Sequence, residues 1–131
     1  MKRVLLALAL GGAALSAGRP DGRWITASGN VVVEIAPCGA RLCGVVIKVL
    51  ANHSMVDPSK TLARPATVGL NILTDLSPAG DGVWKGRIYN RENGKTYDCL
   101  VRPDGEALNV RPFIGLPLLG KAQTWTRAVR D

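Results

Sequence analysis

An apolar run from Val4 to Leu15 opens the chain. Beyond it the pattern changes to short segments in which apolar and polar residues alternate, each ended by glycine, proline, asparagine or aspartate. Alternation with a period of two marks strands with one face turned inward, and turn residues at short intervals mark where they reverse. Eight strands are predicted on this basis, at residues 23–27, 31–36, 42–50, 70–76, 83–89, 95–102, 107–113 and 121–128. The predicted reversals are compact: Ser28-Gly29-Asn30, residues 37–41, residues 77–82, Arg91-Glu92-Asn93-Gly94, Pro103-Asp104-Gly105, and a bend at residues 115–120. The Asn-Gly pair is the strongest of these signals, because both residues tolerate positive φ. Residues 51–67 are the exception, a long loop with neither strand nor helix periodicity, and loops of that length often carry function.

With connections this short, each strand most simply pairs with its predecessor in an up-and-down meander. Two tryptophan motifs lie at the ends of the meander, Gly22-Arg23-Trp24 and Gln123-Thr124-Trp125-Thr126-Arg127. They predict that the first and last strands meet, giving an all-β, eight-stranded antiparallel barrel whose interior is either just filled or just able to take one small ligand. A Gly-x-Trp on the first strand with an Arg on the last resembles the way lipocalins close the floor of their barrel. Trp24 would plug one end and Arg127 would lie across its indole, a cation–π contact of about 0.5–2 kcal/mol. Trp125 shares a face with Gln123 and Arg127, so either a polar pair points inward with it or it packs outside against the termini.

Further segments follow in order: Val33-Glu34-Ile35-Ala36-Pro37-Cys38-Gly39, Leu42-Cys43-Gly44, Trp84-Lys85-Gly86-Arg87-Ile88-Tyr89, Gly94-Lys95-Thr96-Tyr97 and Gly115-Leu116-Pro117-Leu118-Leu119-Gly120. Taken with the two tryptophan motifs, this set resembles domain-of-unknown-function family 2147, small exported bacterial proteins. The resemblance covers nearly all of the chain after its apolar start. It implies a lipocalin-like β-barrel in the periplasm or outside the cell, with no established enzymatic activity and no catalytic set to carry over. Members often have an Asp- and Asn-containing loop and a further Cys-Gly before the fourth strand. Here those places hold Asp57-Pro58-Ser59-Lys60 and Thr67-Val68-Gly69.

Met1-Lys2-Arg3, the apolar run, and Ser16-Ala17-Gly18 have the order of a secretory signal, with cleavage near residue 16 or 17. The expected organisation is a signal peptide at 1–17 and a single barrel domain at 18–131, with no transmembrane segment in the processed chain. Loss of Lys2 and Arg3 takes the formal net charge from +7 to +5. The remaining cations are scattered along the sequence and read as a solvated surface, and export argues against a nucleic-acid partner.

Cys38 and Cys43 flank a predicted hairpin turn, and in an exported chain they are expected to form a disulfide. A metal pair or a redox dithiol fits less well, because the chain has one histidine and the spacing exceeds Cys-x-x-Cys. Cys99 is expected to be a buried free thiol. His53 is the only base that it could pair with, and nothing in the sequence places them together. Glu34, between Val33 and Ile35, is expected to face outward.

No metal, no cofactor and no catalytic residue are expected. The reading favoured by the sequence is a binding protein for a small apolar or anionic amphipathic ligand, lined in part by Trp84, Ile88 and Tyr97, with Leu108 and Val110 as further candidates. The alternative is a barrel with a filled core whose loop at residues 51–67 meets an envelope protein partner, as an inhibitor would.

Overall fold

The computed structural model describes residues 18–115 and 121–128. The predicted signal segment at 1–17 and residues 116–120 of the predicted bend lie outside the described residues. The rest forms eight strands: β1 (Gly22–Ile25), β2 (Val31–Cys38), β3 (Arg41–Val49), β4 (Asn71–Gly80), β5 (Val83–Asn90), β6 (Lys95–Asp104), β7 (Ala107–Phe113) and β8 (Gln123–Arg127). Each pairs antiparallel with its neighbour in sequence, and β1 pairs with β8 through Trp24 opposite Arg127 and Ile25 opposite Thr126. The sheet is a closed up-and-down barrel, as the alternation and the paired end motifs predict.

Burial follows the alternation. On β5, Trp84, Gly86 and Ile88 are buried while Lys85 and Arg87 face solvent. On β3, Leu42, Gly44 and Val46 face the core. Glu34 does face outward, where it forms a cross-strand ion pair with Arg23 at 3.1 Å. Trp125 points inward. Its indole N–H donates to Gln123 Oε1 at 3.1 Å, and this bond lets a polar neighbour on the same face accompany it into the barrel.

Three turns are tighter than the sequence suggests. Strand β2 runs through Pro37 and Cys38, leaving Gly39-Ala40 as the whole reversal, and the Cys38–Cys43 disulfide joins diagonal neighbours with Cα atoms 5.8 Å apart. Strand β4 continues through Pro78 to Gly80, because register shifts between Thr74 and Ser77 and between Pro78 and Gly80 absorb the proline and the positive φ of Asp75. Strand β6 likewise runs through Pro103 to Asp104. Where β4 irregularly crowds β5, Gly86 is required: a Cβ there would lie 2.6 Å from the Thr74 carbonyl oxygen.

The strand directions define two ends. Gly22 and the β2–β3, β4–β5 and β6–β7 turns lie at one end; the β1–β2 turn, the long loop after β3, the β5–β6 turn and the end of β7 lie at the other. Between them the interior is filled by Val33, Val46, Leu73, Leu76, Val101 and Leu108, among others, all essentially without solvent exposure.

Candidate functional site

The first end is sealed. Trp24 is fully buried and its indole N–H donates to the Pro20 carbonyl at 2.8 Å. The Arg127 guanidinium lies 4.1 Å from the centre of the Trp24 ring and is held from its other side by Glu106 Oε2 at 3.0 Å. Gly22, with φ +128°, leaves room for that guanidinium, since a Cβ there would come within 2.6 Å of Arg127 Nη1. Trp84 belongs to this end as well. Its N–H donates to the Gly18 carbonyl at 3.3 Å, and Arg19 sits 5.5 Å over its ring.

The second end is open and holds a cavity of about 230 Å³. Its walls include Val31, Leu62, Ile72, Ile88, Pro112 and Trp125, and its polar groups include Asn30, His53, Tyr97 and Gln123. Two of the candidates named from sequence, Ile88 and Tyr97, are therefore in this lining. Trp84, Leu108 and Val110 are not. For Trp84 the reason is position along β5: it starts at the sealed end, four residues before Ile88.

Tyr97 and Gln123 keep donors to offer. Asn93 Nδ2 donates to the Tyr97 hydroxyl at 2.7 Å, which leaves that hydroxyl its own proton, while among the described residues Gln123 uses only its side-chain carbonyl oxygen, on Trp125.

The long loop is strapped across this mouth by two clasps. On one side the buried Asn30 side chain pairs with the backbone of His53, accepting from its N–H at 2.7 Å and donating to its carbonyl at 2.8 Å. On the other, Glu92 in the β5–β6 turn accepts from the Ser54 hydroxyl at 2.6 Å and from the Met55 N–H at 2.9 Å. These two bonds, the Ser54 bond foremost, hold the Glu92 carboxyl below its usual range. Arg91 adds a bond to the Arg64 carbonyl at 2.5 Å. Sequence reasoning placed Asn30 and Glu92 only as turn formers. Asn30 is a side-chain partner for a backbone 23 residues away, and no local pattern encodes that.

Cys99 is buried in the core, and its thiol is pushed up to about 12, mainly by burial and then by the neighbouring Asp98 charge. It does not line the mouth cavity, whereas His53 does. Among the described residues no three His, Cys, Asp or Glu side chains gather in a metal-binding arrangement, and no helix is long and apolar enough to cross a membrane.

Residues 22–127 match the family described as "Uncharacterized protein conserved in bacteria (DUF2147)". The chain belongs to the DUF2147 family. The match begins at the glycine beneath Trp24 and ends at the arginine stacked on it, so the family unit coincides with the closed barrel. No curated protein and no solved structure matches the chain.

Proposed function

We propose that this DUF2147 protein is an exported, non-enzymatic binding protein that takes one small apolar or anionic amphipathic ligand through the open end of its barrel. The observation that carries the reading is the apolar cavity of about 230 Å³, floored by Trp125 and bordered by unused donors on Tyr97 and Gln123. A cavity of about 150 Å³ lined by aliphatic and aromatic side chains already accommodates benzene, while sites for drug-sized molecules begin near about 300 Å³. The expected ligand is therefore a short chain or a ring system, with an oxygen acceptor toward the rim. The disulfide favours an oxidising compartment. A thiol with its pKa pushed up to about 12 is a poor nucleophile at neutral pH, which argues against Cys99 as a catalytic nucleophile.

Native mass spectrometry of protein recovered from its own cells, with titration of an uncharged naphthylamine probe followed by tryptophan fluorescence, tests the proposal. Bound mass or saturable probe binding is expected, lost in Ile88→Trp, which fills the cavity, and retained in Trp84→Phe. Protein that carries no bound mass, with probe binding unchanged by Ile88→Trp, overturns it.

A further inference from the structure

Among the described residues, the large apolar side chains left exposed are Val49, Leu50, Met55, Val56, Val68 and Ile114. All six belong to the open-end connections or the strand end that leads into one: Val49 ends β3, Leu50, Met55, Val56 and Val68 lie between β3 and β4, and Ile114 comes directly after β7. Single exposed apolar residues are ordinary on any protein surface. Confinement of the whole set to one end is not. Val56 is 87% exposed and Ile114 77%, and they stand on separate connections that flank the same cavity, beside Met55 and two residues after Pro112.

Charge is distributed with the same bias. The open-end connections and the residues bordering them carry Lys60, Arg64, Arg91, Lys95 and Lys121 against Asp57, Glu92 and Asp98, the last opposite Phe113 at the end of β7. Two of these acids are engaged within the loop system, Glu92 by Ser54 and Met55, Asp57 by the backbone and hydroxyl of Ser59. Lys60, Lys95 and Lys121 have no ion pair among the described residues. At the sealed end, by contrast, Arg19 pairs with Asp21 and Arg127 with Glu106.

Protruding apolar tips ringed by cations suit an anionic lipid surface, where the tips enter the acyl boundary and the ammonium groups stay with the phosphates. We infer that the open end of the barrel docks on anionic lipid, with Val56 and Ile114 inserted and Lys60, Lys95 and Lys121 at the headgroups. A protein partner would call for a contiguous, shape-matched patch, and the two most exposed of these apolar side chains belong to different loops. The orientation sets the cavity mouth against the lipid, yet the inference stands on exposure and charge and does not depend on what the cavity holds.

Sedimentation of the purified protein, with its N-terminus as the cell leaves it, against phosphatidylglycerol vesicles and phosphatidylcholine vesicles is the test. Binding to phosphatidylglycerol is expected to exceed binding to phosphatidylcholine by about tenfold or more at low salt, and to fall as added salt shortens the screening length toward about 10 Å and below. Val56→Asp with Ile114→Asp should reduce binding by about tenfold, with circular dichroism unchanged. Lys60→Glu with Lys121→Glu should erase the preference for phosphatidylglycerol. The Val56→Ser and Ile114→Ser pair carries the same test if the aspartates disturb folding. Wild-type protein that ignores both vesicles, or a Val56 and Ile114 double variant that binds as wild type, overturns the inference. So does a wild-type dimer in the absence of lipid that the same double variant dissolves, which would assign the patch to a second copy. Because the probe titration at Ile88→Trp uses no vesicles, failure of the ligand proposal and failure of this one are read separately.

Discussion

At the sealed end Trp24 is enclosed on every side, with its indole N–H bonded, its ring covered by Arg127 and that arginine held by Glu106. At the open end an aromatic of the same kind, Trp125, forms the base of a cavity, and what covers it is a loop fastened by hydrogen bonds to its two rims. Both ends are made by the same eight strands. The difference lies in whether packed side chains or a hydrogen-bonded loop complete the end, which separates the part expected to set stability from the part that holds the cavity.

That division can be broken by four substitutions, taken in falling order of effect. Trp24→Ala removes a fully buried indole and should lower global stability by about 3–5 kcal/mol in denaturant unfolding. Asn30→Ala strands the N–H and carbonyl of His53, which makes loop opening easier by about 2 kcal/mol. Hydrogen exchange at the His53 amide should then quicken roughly 30-fold, while the unfolding midpoint of the barrel moves far less than for Trp24→Ala. If Asn30→Ala instead melts the whole barrel, the loop is part of the scaffold and the comparison fails.

Arg127→Met keeps aliphatic cover on Trp24 but loses the cation and its bonds, and about 1 kcal/mol of stability is expected to go with it. Glu92→Gln is the mildest. The Glu92 carboxyl titrates below its ordinary value when the clasp is closed, so the clasp's contribution is complete above the ordinary carboxylate range and is lost as pH falls through the lowered value. Hydrogen exchange at the Met55 amide should therefore be protected at neutral pH and lose protection under acid in the wild type. In Glu92→Gln that acid dependence should vanish, and a persisting one would assign it to another group.

The eight strands could be read from the sequence because each buries one face, and burial writes period two into the residues. The disulfide was readable for a related reason, since two cysteines across a hairpin are neighbours in space as well as in sequence. Pro78 and Pro103 misled the turn assignments, since a bulge lets β4 carry Pro78, and Pro103 lies beyond Val101, where the pairing of β6 with β5 ends, on a stretch with one partner strand. At the site, Ile88 and Tyr97 could be picked out by their strand faces, while Trp84 shares the face of Ile88 and differs only in height along the barrel, which alternation does not record. The bonds from Asn30 and Glu92 to the long loop, and the gathering of scattered lysines at one end, exist only once the ring has closed.

Ring closure has its own consequence for the time course of folding. Seven of the eight seams join consecutive strands, so most of the sheet can assemble through local steps; the eighth joins Trp24 to Arg127, about a hundred residues apart. Closing a long loop costs more chain entropy than closing a short one, and no turn assists this seam. The contact between Trp24 and Arg127 is thus expected to form late on the way in and to part early on the way out. Weakening it should leave the refolding rate nearly unchanged and hasten unfolding, so that the grip of one arginine on one indole governs how long the closed barrel lasts.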